Sequence, residues 1–262
     1  MRARKDKWNY LIQAVSHALE VLEALVSNKA PLGVTELSKQ LKLHKNNIFR
    51  LLATLEVRGY VVQDDINERY YLGPKTMSLA HAYEQYSSAF LKSEAPVKAV
   101  KNRIDENVYF VILVQDQAYY INGRESSQSV RAGFKKGMSM PILKSAGGRL
   151  LAALTMSNQE INALGDTSFK NSVEEIRNSF MYVTNSLEKE IISVAVPVKE
   201  TNNHIIGAIQ VDAPVYRISA PELIQQTSKG LMDYYDQSGL KDTMPVALEV
   251  ERIVESAKDI RL

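Results

Sequence analysis

A helical pattern that runs directly into a β pattern between residues 44 and 72 constrains the fold of this chain more than any other feature. When residues 44–58 are placed at 100° per residue, a stripe of apolar side chains falls within about 60° of Ile48. These side chains are Ile48, Leu51, Leu52 and Leu55. After Gly59, residues 60–63 and 69–72 have the composition of strands and flank a polar turn. The segment predicts an amphipathic helix followed by a β-hairpin.

Two further helices are predicted just before this segment. Apolar residues recur at helical spacing over 15–26. A break at Pro31 and Gly33 follows, and Thr35 is the expected N-cap of a short second helix. Three short helices followed by a hairpin within about 60 residues is the plan of a winged helix-turn-helix. The N-terminal part of the chain is therefore expected to bind DNA.

Opposite its apolar stripe, the third helix presents amide and guanidinium groups close to its N-terminus. A recognition helix uses such groups in the major groove, where Asn pairs with adenine and Arg with guanine. The alternative is that Asn46 and Asn47 merely begin a helix, since Asn favours helix starts and turns. The predicted DNA-contacting residues are Thr35, Lys45, Asn46, Asn47, Phe49 and Arg50, together with Arg69 on the hairpin. The basic residues Arg2, Arg4, Lys5 and Lys7 fit a phosphate-binding arm or a solvated tail.

Charge is unevenly distributed along the chain. The net charge is +2, but residues 1–80 carry 12 Lys or Arg against 8 Asp or Glu, whereas the remainder carries 20 against 22. The N-terminal part therefore suits contact with a polyanion. The chain has no cysteine, which excludes disulfides, thiolate metal sites and a thiol nucleophile.

The remaining residues give no sign of a catalytic or cofactor site. The four histidines, His17, His44, His81 and His204, lack the spacing of metal ligands. The sequence contains no phosphate-binding glycine loop and no nucleophile elbow, so we expect neither a cofactor nor an enzymatic activity. It contains no apolar run near the roughly 20 residues that span a bilayer, and its N-terminus lacks signal-peptide character. We expect a cytoplasmic protein that does not bind membranes.

Beyond the hairpin the pattern changes twice. A helical stretch over 75–91 is the predicted linker between the winged helix-turn-helix of 1–74 and a larger domain of 92–262. In the larger domain, helical and strand patterns alternate. The predicted helices cover 95–104, 145–154 and 221–235, with mixed helix and loop over 157–180, and the predicted strands cover 109–114, 118–121, 191–198 and 205–211. The expected fold class is α+β with a mostly antiparallel sheet.

Several blocks of the sequence carry a resemblance to a known family. They are HALEVLEAL, LGVTELSKQLKLHKNNIFRLLATLEVRGYV, RYYLGPKTMSLA, KKGMSMPILKSAGGRLLAAL and VAVPV. In these blocks the chain resembles the isocitrate lyase regulator (IclR) family of bacterial transcription factors. The resemblance implies a winged-helix domain, a linker helix and a C-terminal effector domain related to the GAF fold. It also implies homodimers or dimers of dimers that bind operator DNA and either repress or activate a catabolic operon in response to a small organic acid.

The resemblance also indicates which residues bind DNA and effector. Family members often begin the recognition helix with Lys-Ser-Thr; Lys45 matches this pattern, whereas Asn46 and Asn47 depart from it. The family's effector pocket is framed by a loop and helix start that matches 141–148, where small residues leave backbone N–H groups accessible to a carboxylate. The alternative for this glycine-rich stretch is a packing contact. The implied effector-binding residues are Ile142, Ser145, Ala146, Gly147, Asn185, Ser193, Gln210 and Asp212.

Some positions in the second half depart from the family pattern. Ser193 stands where many members have Cys, and Asp212 where some have Ser. The segment 185–190 is short compared with the family. A carboxylate at position 212 either repels an acidic ligand or pairs with a cation.

A competing function is a small-molecule binding or catalytic α/β domain whose winged helix contacts proteins. Steep salt dependence of duplex binding distinguishes the regulator from this alternative. The tail over 244–262 is loosely amphipathic and either packs on the larger domain or joins an oligomer interface.

Overall fold

The computed structural model describes residues 10–28, 30–200 and 202–240. The chain divides into two compact units, Met1–Ser87 and Ser88–Leu262. The first combines helices with a β-hairpin, and the second is built on a six-stranded antiparallel sheet. This arrangement confirms the predicted α+β class. The basic arm over 2–7 and the tail over 244–262 lie outside the described residues.

The described part of the first unit has the predicted three helices, the hairpin and a fourth helix. Their bounds are α1 Gln13–Ser27, α2 Val34–Leu41, α3 Lys45–Val57, β1 Val61–Gln63, β2 Tyr70–Leu72 and α4 Lys75–Tyr86. Strands β1 and β2 pair antiparallel, with Val62 opposite Tyr71. An isolated antiparallel bridge between Leu32 and Tyr70 joins the hairpin to the loop before α2. The hairpin is thereby fixed to the helical part of the unit.

The core of the first unit forms where the apolar faces of α1, α2 and α3 meet. Val21, Leu37, Ile48 and Leu52 are fully buried in it. Burial of each such side chain stabilises the fold by roughly 1.5–3 kcal/mol relative to leaving it exposed. The buried side of α3 is the predicted apolar stripe, although Leu51 is only half-buried. Because this stripe faces inward, the other side of α3 is left to solvent.

The start of α2 differs from the prediction. Thr35 is not the N-cap, because the helix begins at Val34 and Gly33 precedes it in an extended conformation. The backbone N–H of Gly33 donates to Oε2 of Glu36 at 2.8 Å. A glutamate side chain three residues into the helix therefore satisfies the backbone donor that precedes it. Thr35 is left exposed in the first turn.

The second unit is a six-stranded antiparallel sheet with helices on both faces. Its strands are β3 Asn107–Val114, β4 Gln117–Arg124, β5 Ser139–Pro141, β6 Tyr182–Thr184, β7 Ile191–Lys199 and β8 Ile205–Pro214. Its helices are α5 Ser88–Lys101, α6 Ala146–Thr155, α7 Asn158–Ala163, α8 Thr167–Ser179 and α9 Ala220–Ser238. The strand order is β5-β4-β3-β8-β7-β6, so β3 and β8 form the central pair. The antiparallel sheet is as predicted.

Alternation along the strands separates two cores. On one face of the sheet, Ile209 and its neighbours pack against α5 and α9. On the other face, Tyr109 and Ala208 pack in a core that includes α6 and α8. Because successive residues of a strand point to opposite faces, Gln210 and Asp212 share the α6 face with Ala208. The sheet thus places two polar side chains beside the start of α6.

Helix α4 ends at Tyr86, and α5 begins at Ser88. Ser87 between them is extended, with φ −76° and ψ 115°. Residues 88–91, which the sequence assigned to the linker, form the first turn of α5. The helix predicted to start near residue 95 therefore starts earlier and runs through Pro96.

Candidate functional site

The N-terminal half of α3 presents an exposed polar surface in the first unit. His44 precedes the helix in an extended conformation. Five of the seven predicted DNA-contacting residues follow it, and all five are exposed: Lys45, Asn46, Asn47, Phe49 and Arg50. Phe49 is 59% exposed, so its ring adds little to the core of this unit. The surface offers amide, ammonium, guanidinium and aromatic groups together at one end of a helix.

Arg69 holds the hairpin to the helical part of the unit. Its Nη1 donates to the carbonyl of Pro31 at 2.7 Å, and its Nη2 lies 3.0 Å from Oε1 of Glu36. The Gly33 N–H, together with Arg69, lowers the pKa of the Glu36 carboxyl below its usual value. A guanidinium has five N–H donors, so others remain for a second partner. The structure therefore gives Arg69 a positioning role in addition to any contact with DNA.

The tip of the hairpin is acidic. Asp64, Asp65 and Glu68 occupy the turn between β1 and β2. The carboxylate of Asp64 accepts backbone N–H groups from Ile66 at 2.9 Å and Asn67 at 3.3 Å, which lowers its pKa. These bonds fix the turn, but three negative charges at its tip do not favour a phosphate backbone.

A buried polar network lies in the second unit between the start of α6 and the sheet. Gln210 is its centre and is 2% exposed. Its Oε1 accepts hydrogen bonds from the Gly147 N–H at 2.8 Å and from the hydroxyls of Tyr120 at 3.2 Å and Ser145 at 3.3 Å. Its Nε2 donates to Oδ1 of Asp212 at 2.7 Å. The amide oxygen therefore faces the helix, and the amide nitrogen faces the carboxylate.

The backbone donors at the start of α6 are occupied by the protein itself. Ser145 is the N-cap, and its Oγ accepts from the Gly148 N–H at 3.0 Å. The Gly147 N–H is taken by Gln210. A Cβ at Gly147 would lie 3.0 Å from Val111 of β3, so the glycines also make the packing contact that the sequence left as the alternative. A ligand carboxylate has to displace a side chain to reach either N–H group.

Asp212 is fully buried and paired with a lysine. Its Oδ1 accepts from the Ser193 hydroxyl at 2.7 Å, and its Oδ2 lies 2.7 Å from Nζ of Lys135. The same Nζ lies 2.8 Å from Oε2 of Glu188. Burial alone lowers the pKa of Lys135, but the two carboxylates outweigh it and raise this pKa above its ordinary value. The carboxylate at position 212 therefore pairs with a permanent cation of the same chain.

Lys135 lies on the loop between β4 and β5, and this loop is held over the network by Tyr109. The Tyr109 hydroxyl donates to the carbonyl of Gly133 at 3.1 Å and accepts from the Lys135 N–H at 3.3 Å. The ring of Phe134 stacks on that of Tyr109 with centroids 5.5 Å apart. Three consecutive loop residues thus contact one tyrosine of β3.

The network includes five of the eight residues predicted to bind an effector, namely Ser145, Gly147, Ser193, Gln210 and Asp212. Ile142 and Ala146 are buried beside it in the core that contains α6. Asn185 is exposed in the segment after β6. Sequence reasoning missed Tyr120, Lys135 and Glu188. The alternation of inward and outward side chains along β4 could have indicated that Tyr120 faces the network. Lys135 and Glu188 lie in loops, which have no such periodicity.

Comparison with known proteins decides the family. The model of the IclR helix-turn-helix domain matches residues 14–65, and the model of the bacterial transcriptional regulator IclR C-terminal domain matches residues 87–234. The chain belongs to the IclR family. Because it contains both domains, it is a DNA-binding transcription regulator of the IclR type with a C-terminal effector-binding domain. The predicted family is confirmed, and so is the predicted function of a DNA-binding transcription regulator.

Relatives of this IclR regulator match over most of its length. The HTH-type transcriptional regulator XynR of Escherichia coli K12 is 27% identical over 229 residues, which cover 81% of this chain and 90% of XynR. An IclR regulator from Alicyclobacillus acidocaldarius has the same fold, with a TM-score of 0.75 at 22% identity over 87% of this chain and 98% of that one. An IclR homologue from Microbacterium hydrocarbonoxydans, solved in complex with 4-hydroxybenzoate, has a TM-score of 0.67 at 13% identity over 87% and 99% of the chains.

XynR and the next curated relative, KdgR, are named as regulators of transcription. Among residues 10–28, 30–200 and 202–240, no helix is long and apolar enough to cross a bilayer. In the same part of the chain, no three His, Asp or Glu side chains are grouped so as to hold a metal ion.

Proposed function

We propose that α3 is the recognition helix and enters the major groove with Lys45, Asn46, Asn47 and Arg50. The observation that carries this proposal is the exposure of these four side chains on a helix whose Ile48 is fully buried. Asn and Arg side chains can pair with base edges from this position without disturbing the core. Lys45 contributes a phosphate contact that positions the helix.

Three further residues complete the proposed interface. Phe49 offers an exposed ring for apolar contact with thymine methyl groups. Thr35 offers a hydroxyl to a phosphate at the start of α2. Arg69 reaches the DNA backbone with the N–H groups that Pro31 and Glu36 leave unused. The acidic tip of the hairpin limits how closely the wing approaches phosphate.

A gel-shift titration tests this assignment. The full chain is titrated against duplex DNA that flanks its own gene, with nonspecific competitor, at two salt concentrations. We expect a discrete complex whose affinity falls steeply with salt, since each phosphate contact releases counterions. If neither this DNA nor duplexes selected from a random pool form a complex, the proposed interface is wrong and the winged helix serves protein contacts instead.

We also propose that a small-molecule effector binds at the buried network through Ser145, Gly147, Ser193, Gln210 and Asp212. The support is that several polar groups, each more than nine-tenths buried, converge at one helix start. In this proposal, Ile142 and Ala146 form the apolar wall of the effector site, and Asn185 lies at its rim.

An organic acid is the effector class expected from the sequence, and one structural relative is bound to 4-hydroxybenzoate. In this chain such a ligand has to take the Gly147 N–H from Gln210. It also meets the negative charge of Asp212. Both requirements raise the cost of binding a carboxylate here.

Self-association is proposed through apolar side chains on α1 and α4. Helix α4 has no buried residue, although it carries several large apolar side chains. The exposed apolar side chains are Val15, Leu19 and Val26 on α1 and Met77, Leu79, Tyr83 and Tyr86 on α4. Apolar surface of this kind marks an interaction site in a regulator. We propose that it contacts a second copy of the chain, in a homodimer or a dimer of dimers.

We propose that the protein is regulated by a shift between two quaternary arrangements, one that binds DNA and one that does not. Effector binding to the second unit biases this equilibrium, and α4, as the linker helix of the chain, transmits the change. We propose that the protein acts in the cytoplasm as a repressor of a catabolic operon, without enzymatic activity.

A further inference from the structure

The proposed effector site has an excess of negative charge. Nζ of Lys135 lies 2.7 Å from Asp212 and 2.8 Å from Glu188, so one cation serves two carboxylates. The side chain of Lys135 is 13% exposed and that of Asp212 is fully buried, whereas Glu188 is 43% exposed at the outer side. The neighbouring ionisable side chains Tyr109 and Tyr120 add no charge at neutral pH, since an ordinary phenol is already neutral there and burial raises both pKa values further. An anionic ligand therefore adds to an unbalanced negative charge.

The hydrogen bonds of the proposed effector site also disfavour an anionic ligand. The donors suited to a carboxylate are engaged, since Gly147 donates to Gln210 and Gly148 donates to Ser145. Among the described residues bound to Asp212, Lys135 comes from a loop, whereas Ser193 and Gln210 are held in the sheet. Lys135 is therefore the partner that an incoming ligand can replace with least disturbance of the core.

A group that replaces the ammonium of Lys135 has to restore both its charge and its donors. A buried carboxylate left without a cation is strongly destabilising. A neutral hydroxyl supplies one donor and no charge, whereas a protonated primary amine supplies a positive charge and three donors. An alkylammonium group is therefore the best substitute for the ammonium of Lys135 beside Asp212.

We propose that the effector of this regulator is a small molecule with a protonated amine, which replaces the ammonium of Lys135 between Asp212 and Glu188. This inference rests on the proposed function, in which the buried network is the effector site. Release of Lys135 also loosens Gly133 and Phe134, which contact Tyr109 together with Lys135. Ligand entry is thereby coupled to movement of the loop between β4 and β5.

The test uses the full chain and three matched probes, n-propylammonium, n-propanol and propionate, in calorimetric titrations at neutral pH. Lys135→Ala removes a propylammonium group from the side chain, and so removes the internal competitor. We expect n-propylammonium to bind Lys135→Ala about tenfold or more tightly than it binds the wild type. We expect no comparable gain for the other two probes. Lys136→Ala is the control, because it removes the same charge from the neighbouring loop position.

Addition of Asp212→Asn to Lys135→Ala is expected to abolish binding of n-propylammonium. Binding of propionate equal to or tighter than that of n-propylammonium, or binding of none of the probes, overturns the proposal. If Lys135→Ala alone does not fold, recovery of a cooperative thermal transition by n-propylammonium supports the proposal. Recovery by propionate, or by none of the probes, overturns it.

The gel-shift titration on the same samples separates this inference from the proposed function. If wild-type protein forms no DNA complex, the proposed DNA interface fails while the titrations still decide the ligand class. If the complex forms and propionate is the probe that binds, the amine proposal alone fails.

Discussion

Nζ of Lys135 lies 2.7 Å from Oδ2 of Asp212, a carboxylate on β8 with no exposed surface. The two residues are 77 positions apart in the chain, so this contact ties the loop between β4 and β5 to the centre of the sheet. An intact buried ion pair contributes little net stability, but removal of one partner leaves the other charge uncompensated. The proposed effector site is therefore also a structural element of the second unit.

Lys135→Met is expected to lower the free energy of unfolding by about 3 kcal/mol, because Asp212 stays buried without its cation. Asp212→Asn is expected to cost less, since Lys135 keeps Glu188 as a partner near the surface. Urea unfolding of both variants measures the difference. Lys144→Met, at an exposed position of the second unit, serves as the control and is expected to change stability by about 0.5 kcal/mol or less. Equal, small losses for Lys135→Met and its control would show that the buried pair does not form.

Gln210→Leu is expected to destabilise the second unit by about 1–3 kcal/mol, because the Gly147 N–H loses its acceptor in a buried position. The variant also removes a donor from Asp212. Thermal and urea unfolding measure the loss, and Gln159→Leu on the exposed surface of α7 is the matched control. A stability equal to that of the control contradicts the central place of Gln210 in the network.

Met77→Glu is expected to weaken self-association, since it places a charge among the exposed apolar side chains of α4. Met77 is 73% exposed, so the fold itself loses little. Sedimentation velocity across a range of concentrations measures the change in oligomeric state. Val130→Glu, on an exposed loop of the second unit, is the control. An unchanged oligomer in Met77→Glu would place the interface elsewhere.

Asp65→Asn is expected to strengthen DNA binding by about two- to fivefold at low salt, because it removes one of the three negative charges at the tip of the wing. The gain should shrink as salt is raised. Fluorescence anisotropy with labelled duplex at two salt concentrations measures it, and Asp116→Asn in the turn between β3 and β4 is the control. If the affinity does not respond to Asp65→Asn at low salt, the wing tip lies away from phosphate.

The first unit was largely predictable from the sequence because its signals are local. The apolar stripe of α3 identified the buried residues Ile48, Leu52 and Leu55 and left the polar side chains outside. The prediction of Thr35 as the N-cap of α2 was wrong because it rested on residue type alone. The extended backbone at Gly33 and the reach of Glu36 decide the cap instead, and neither is visible in a propensity.

The buried network was only partly predictable because its partners are distant in sequence. The family resemblance supplied Gln210 and Asp212, and strand alternation is consistent with both side chains facing α6. Lys135 lies on a loop without periodicity, so no pattern could connect it with Asp212. Free backbone donors at the start of α6 were expected from the small residues there, but the long side chain of Gln210 reaches across from β8.

Anisotropy titrations of Arg50→Ala and Arg58→Ala, against the DNA that forms the gel-shift complex, show whether α3 is the recognition helix. Both variants remove one exposed arginine near α3, Arg50 in its N-terminal half and Arg58 just after its last residue. If α3 reads the major groove, Arg50→Ala weakens specific binding by about 1–3 kcal/mol, which corresponds to roughly five- to 150-fold. Arg58→Ala is then expected to change specific binding by less than Arg50→Ala does. Wild-type affinity for Arg50→Ala at fixed salt would contradict the assignment of α3 as the recognition helix.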